Sequence, residues 1–200
     1  MTEATVEMID AVFDISGENV PSAYAAPLWH ALTRHVSILA AHESAGLLPL
    51  RTSSTPNGLV LPKRAKLVVR IPTELGAEVE ALAGKALAVE GTVLQLGAIK
   101  LRPIQAYPTL HAHLVIGDAD EIAFMQAVSA QLAELKIIGK LICGMRNQLS
   151  TPERTIHGYS LVVHDMKPDA SLRLQYAGLG ADRRYGCGIF VPYKAIADLD

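Results

Sequence analysis

The chain has 200 residues, half of them hydrophobic and 19% charged, with a formal net charge of -2. That balance supports a packed core, excludes a disordered chain and lacks the overall basic character of a general nucleic-acid binder. Cys143 and Cys187 are the only cysteines, too few for a disulfide framework or a cysteine-based zinc site, and a reducing cytoplasm is their simplest setting.

In chain order, "TVEMIDAVFDIS" alternates as a strand and "GENVPS" punctuates it. "AAPLWHALTRHVSILAAH" carries Leu28, Ala31, Leu32, Val36 and Leu39 at helical spacing. "AGLLPLRTSSTPNG" reads as loop, "AKLVVRIP" as a strand and "TELGAEVEALAG" as a helix capped by Thr73. "KALAVEGTVLQLGAIKLRPI" reads as two or three strands broken at Gly91 and Gly97. The pattern then starts again. "LHAHLVIG" is a strand, "DADEIAFMQAVSAQLAEL" a helix capped by Asp118 or Asp120, and "KIIGKLICG" a strand. A loop, "GMRNQLSTPERTI", leads to the strand "HGYSLVVHDM". The helix "KPDASLRLQYAG" ends at a glycine, and "GCGIFVP" is the last strand. The expected class is α+β, with two ferredoxin-like βαββαβ folds in tandem at residues 1–106 and 107–200. The acidic start lacks the order of a signal peptide, and no apolar run reaches the roughly 18 residues of a membrane span. A soluble cytoplasmic protein without membrane contact is expected.

Charge is distributed unevenly. Glu3, Glu7, Asp10, Asp14 and Glu18 lie in a stretch without Lys or Arg, whereas Arg51, Lys63, Arg64, Lys66 and Arg70 lie in one without Asp or Glu. The two stretches either neutralise each other or leave a local positive field. "GLGADRRYGCGIFVP" mounts Arg183 and Arg184 among Gly178, Gly180, Gly186 and Gly188. Such a loop either forms an anion-binding nest with forked guanidinium donors or is a tight turn with a solvated arginine pair. It lies between a helix and a strand, the wrong order for the mononucleotide-binding glycine motifs. Histidines at 30, 35, 42, 111, 113, 157 and 164 match no zinc spacing, so neither metal nor cofactor is expected. No nucleophile motif is present.

The stretch "SLRLQYAGLGADRRYGCGIFVP" resembles the C-terminus of CRISPR-associated repeat-processing endoribonucleases of the repeat-associated mysterious protein (RAMP) superfamily, most closely the Myxococcus-type subtype. "VFDISGENVPSAYAAPLWHALTR", "LAAHESAGLLPL" and "LVLPKRAKLVVRIP" resemble that family's earlier segments in the same order. The resemblance implies tandem ferredoxin-like folds and metal-independent cleavage of precursor CRISPR RNA at a repeat hairpin. In that reaction the 2′-hydroxyl attacks the adjacent phosphate, leaving a 2′,3′-cyclic phosphate and a 5′-hydroxyl. It implies His42 as general acid or base with His35 in reserve, and Tyr24 as either an auxiliary proton donor or a packed aromatic. Lys63, Arg64 and Lys66 would hold the RNA backbone, joined by Arg70 unless strand alternation buries it. Gly178, Gly180, Gly186, Arg183 and Arg184 would form a second RNA contact. The partners implied are the repeat hairpin and other subunits of a Cascade-type effector complex. A non-catalytic RNA-binding subunit of the same fold, or a ferredoxin-like small-molecule binder, are the competing expectations.

Overall fold

The computed structural model describes residues 6–193; Glu3 and the start of the expected first strand at Thr5 lie outside them. The elements are β1 (Met8–Ser16), β2 (Asn19–Val20), α1 (Ala25–His35), a 3-10 turn (Ser37–Ala41), β3 (Gly46–Leu47), β4 (Ser53–Thr55), β5 (Gly58–Val60) and β6 (Lys66–Pro72). A second 3-10 turn (Thr73–Leu75) leads to α2 (Gly76–Glu80), β7 (Ala86–Val89) and β8 (Thr92–Pro103). The second half has β9 (Leu110–Ile116), α3 (Glu121–Glu134), β10 (Lys140–Ser150), β11 (Thr155–His164), α4 (Pro168–Ala177), a third 3-10 turn (Arg183–Tyr185) and β12 (Val191–Pro192).

The sheets have orders β3-β6-β1-β8-β7 and β10-β11-β9-β12, with a small sheet β2-β5-β4 beside them. Each large sheet is antiparallel, and each is traced βαββαβ with the first strand between the third and fourth. The chain is therefore two ferredoxin-like folds in tandem. In the first half, β3 is the second strand, and it is only two residues long. The segment expected as loop thus holds β3, β4 and the start of β5, strands of two or three residues that carry no alternation to read. Several other expectations change. Gly97 does not break a strand but lies at a register shift opposite Asp14 inside β8. Residues 145–150 continue β10 past a register shift between Cys143 and Arg146. Only Val191–Pro192 of "GCGIFVP" pairs as strand. Thr73 caps no helix and instead donates its hydroxyl to the carbonyl of Glu7 at 3.1 Å, whereas Asp120 caps α3 by accepting the Ala123 N–H at 2.8 Å.

Each half has its own core. Phe13, Leu32, Leu67, Ile71 and Leu94 centre the first; Phe124, Val128, Leu161, Leu174 and Phe190 centre the second. Residues 104–109 connect them and are held down by α4. Gln175 donates to the carbonyl of Gln105 at 2.8 Å, and Ser171 accepts the Tyr107 N–H at 3.0 Å. Both side chains are buried, so the two polar residues within the apolar pattern of α4 serve the connection.

The strongest polar link between the halves is Arg70. It lies in β6, opposite Asp10 of β1, and only 3% of it is exposed. Nε and Nη2 donate to the two Asp10 carboxylate oxygens at 2.7 and 3.0 Å. Nη1 donates to the carbonyls of Phe190 at 2.6 Å and Gln175 at 3.3 Å, both in the second half. Val69 and Ile71 are buried in the first core, and Arg70 between them is buried because the second half covers its face of the sheet. Lys66, four residues earlier in β6, pairs with Asp14, so the acidic and basic stretches do neutralise each other at two points. Removing one member of a buried, hydrogen-bonded pair strands the other charge. Arg70→Met and Asp10→Leu should each cost about 3–5 kcal/mol in urea unfolding, and Arg70→Lys should recover only part of the loss because an ammonium lacks the fork. A cost under about 1 kcal/mol for both would show that the pair contributes little.

Candidate functional site

A cleft of about 740 Å³ opens where the two halves meet. Its walls are α1 and the segment after it (Trp29, His30, Thr33, Leu39, His42, Glu43), the turn between β10 and β11 (Thr151, Glu153, Arg154), and the glycine loop from Gly180 to Tyr185. The helix expected to run to His42 stops at His35, and His42 follows the first 3-10 turn in extended conformation. Its N–H donates to Leu39 at 3.3 Å and its carbonyl accepts the Ala45 N–H at 3.0 Å. Leu39 and Ala45 are buried, so the backbone that carries His42 is anchored on both sides while the imidazole lines the cleft.

The glycine loop is closed on itself. The Leu179 N–H donates to Gly188 at 3.1 Å, and the Gly188 N–H donates to Leu114 of β9 at 2.7 Å. Gly188 has φ +66°, and a Cβ there would lie 1.8 Å from the carbonyl oxygen of Leu179, so only glycine fits. The loop rests on β3 of the first half, where a Cβ on Gly46 would meet the carbonyl oxygen of Arg183 at 2.5 Å. The N–H groups of Gly178, Gly180 and Gly186 are taken by Leu174, the Gln131 side chain and Arg183 respectively. These three glycines therefore shape the cleft wall and do not present N–H groups to it.

The two arginines of the loop part ways. Arg183 turns under the loop, and its Nη2 donates to the carbonyl of Ala177 at the end of α4. Burial lowers its pKa, with Glu43 acting in the opposite direction, and its Nε is buried without a hydrogen-bond partner. Arg184 is exposed, stacks 4.6 Å above the Tyr185 ring, and approaches Asp182 Oδ1 at 3.3 Å. Asp182 also pairs with Arg154. Two guanidinium groups, those of Arg154 and Arg184, are thus exposed at the cleft, whereas that of Arg183 is turned inward.

The remaining expected residues lie elsewhere. His35 ends α1 and is exposed, but it does not line the cleft. The Tyr24 hydroxyl accepts the Leu50 N–H at 2.7 Å, and its ring packs on the first core. Burial pushes its phenol above the usual tyrosine range. Lys63 and Arg64 are exposed in the turn before β6, outside the cleft. Lys66 is about 13 Å of strand away from Arg70. His30, Arg154 and Tyr185 line the cleft without having been singled out. His30 could have been found from helical spacing, since α1 buries Ala25, Ala26, Leu28, Trp29, Ala31 and Leu32 and leaves 30 and 33 on the other face. Arg154 sits in a hairpin turn, and no local pattern links it to Asp182.

The cleft thus lies between two ferredoxin-like halves, with histidines on one wall and a glycine-arginine loop on the other. The family model described as Cas6 Crispr matches residues 9–195. The chain belongs to the Cas6 family. The CRISPR-associated endonuclease Cas6 of Myxococcus xanthus is 33% identical over 186 residues, covering 92% of this chain and 81% of the relative. A Cas6-related protein from Pyrococcus furiosus shares the fold with TM-score 0.69 at 10% identity, over 92% of this chain and 98% of its own. A solved RAMP protein, described as binding different RNA substrates, aligns with TM-score 0.69 at 10% identity over 91% and 98% of the two chains. Among the described residues of this Cas6-family chain no helix is long and apolar enough to cross a membrane.

The inward turn of Arg183 separates its role from that of its neighbour. Arg183→Ala should lower stability by about 1–2 kcal/mol, the loss of a charge-assisted bond at a helix end. Arg184→Ala should stay within about 0.5 kcal/mol of the parent, as for other exposed charges. Thermal unfolding of the two variants checks this, and equal melting temperatures would put both side chains in solvent.

Proposed function

We propose that the cleft is where this CRISPR-associated endonuclease holds repeat RNA and cuts it. The carrying observation is that His42 and His30 line one cleft together with Arg154, Arg183 and Arg184. Cleavage by the RNA's own 2′-hydroxyl needs that set and no protein nucleophile. The phosphate must be held in line with the attacking oxygen, one group must take the hydroxyl proton, another must protonate the leaving 5′-oxygen, and cations must offset the charge that develops between. His42 fills one proton-transfer role. His30 of α1, on the same wall of the cleft, would take the other. Arg154 and Arg184 serve the phosphate with forked donors, and Arg183 supports the loop from beneath. The products are a 2′,3′-cyclic phosphate and a 5′-hydroxyl, and no metal takes part.

The cysteines support this chemistry. Burial pushes Cys187 up to about 12 and raises Cys143 as well, and neither thiol lines the cleft. Both are free, which accords with a reducing cytoplasm, where the protein would meet its RNA. The substrate is the repeat hairpin of precursor CRISPR RNA, and a Cascade-type effector complex is the destination of the product-bound protein. The two sheets and cores correspond to two domains meeting near residues 104–108.

Cleavage of a repeat hairpin from the protein's own CRISPR array tests the reading. His42→Ala should slow single-turnover cutting by about 10²–10⁴-fold with little change in RNA affinity. His30→Ala should slow it too, whereas His35→Ala and Tyr24→Phe should be close to the parent. A 2′-deoxynucleotide immediately upstream of the cut should block cleavage while leaving binding intact, and EDTA should have no effect. Normal cutting of the deoxy substrate would falsify the 2′-hydroxyl as nucleophile. Tight binding of the native repeat with no cutting under any condition would favour a non-catalytic RNA-binding subunit instead.

A further inference from the structure

Asp182 is an acidic residue in the wall of a cleft otherwise rich in guanidinium groups. Its side chain is only 5% exposed, whereas Arg154 and Arg184, which it contacts, are 60% and 52% exposed. The carboxylate therefore lies beneath the two cations. One oxygen meets Arg154 Nη2 and the other meets Arg184 Nε and Nη2. Both guanidinium groups keep N–H donors beyond those turned to Asp182, since each has five.

Every backbone that bears on this arrangement is held. Asp182 is left-handed at φ +58°, a conformation that Asp and Asn tolerate better than most residues. Its carbonyl accepts the N–H groups of Tyr185 at 3.0 Å and Cys187 at 3.2 Å. Arg154 closes the β10–β11 hairpin. Its N–H donates to the Thr151 hydroxyl at 3.2 Å, and its carbonyl accepts the Thr151 N–H and hydroxyl, both at 2.9 Å. Arg184 has the Tyr185 ring as a second support.

We propose that Asp182 is a positioning residue, clasping Arg154 of the hairpin and Arg184 of the glycine loop into one two-pronged seat for an RNA phosphate. This rests on the reading of the cleft as an RNA site. Free long side chains lose rotamer entropy when they bind, and a buried carboxylate that orders them beforehand removes part of that cost. The seat also joins the hairpin to the loop, so the two arginines act as a unit rather than as separate surface charges.

The proposal makes a prediction whose sign is opposite to that of simple charge. Removing a negative charge beside a polyanion should tighten binding if Asp182 only repels RNA. If Asp182 positions the arginines, Asp182→Asn should weaken binding of the repeat hairpin by roughly tenfold, the worth of one charge-assisted hydrogen bond. Asn keeps the side-chain shape and tolerates φ +58°, so the fold should survive. At saturating RNA the single-turnover cleavage rate should fall as well, because the arginines offset charge that develops at the phosphate during the cut. In an Arg154→Ala, Arg184→Ala background the same substitution should no longer weaken binding, since there is nothing left to clasp. Arg154→Lys, which keeps the charge but not the fork, should reproduce much of the Asp182→Asn defect. Affinity measured by fluorescence anisotropy, alongside urea unfolding of each variant, decides the matter. Equal or tighter binding by folded Asp182→Asn overturns the proposal, and so does an undiminished effect in the double-alanine background. Failure of the parent protein to bind the repeat hairpin at all would remove the RNA reading of the cleft, and the clasp with it.

Discussion

Arg70 is where the architecture and the site are tied together. It is a cation almost fully removed from water, which is costly unless its donors are met, and Asp10 and two carbonyls meet four of its donor positions. Those carbonyls belong to Gln175 and Phe190. The first lies just before the glycine loop and the second just after it. The guanidinium thus grips both stems of the loop from the other half of the molecule. Were the two sheets held together only by apolar contact, they could slide, and the loop would carry its arginines with them. A directional fork resists sliding in a way that an oily interface does not.

With both stems fixed, the glycines have a restricted purpose. Their positive φ angles and bare Cα atoms let the chain turn back under its own carbonyls and lie flat on β3. The backbone N–H groups are mostly consumed in doing so. What the loop offers to the cleft is consequently side chains: Asp182 and Arg184 outward, Arg183 inward against the end of α4. The first half supplies histidines from α1 and the segment after it. Neither half lines the cleft alone, because its histidines come from one and its arginines from the other.

The sequence was legible where local pattern carries the information. The long strands, α1, α3, α4 and the Asp120 cap follow from periodicity and cap chemistry, and repetition of βαββαβ follows from their order. What escaped was non-local. β3 is two residues long and exists because β6 offers it an edge. β10 runs on through a register shift that breaks its alternation. At the site, His42 stood out by its place at a helix end and by family resemblance, but nothing in the sequence around it shows which other groups it meets. The basic stretch from Arg51 to Arg70 looked like one functional unit. In three dimensions it divides into exposed side chains, an ion pair with Asp14 and a buried cross-link to Asp10, because the second half covers one end of that sheet face, over Arg70, and leaves Lys66 on the same face in solvent. The pairing of Arg154 with Asp182 spans 28 residues and is set by a hairpin meeting a loop, which no spacing rule describes.

The connection between the halves bears on how such a chain can change over time. Residues 104–109 look like an ordinary tether in the sequence, yet Gln175 and Ser171 bind their backbone from within α4. A tether can be lengthened, shortened or exchanged without harm; this segment cannot, since an altered path would leave buried polar groups of the second half unmatched. The two ferredoxin-like units are thus not interchangeable modules. Recombination that swapped one for a homologous copy would have to bring the connecting residues and their α4 partners together, so the natural unit of inheritance is the whole pair.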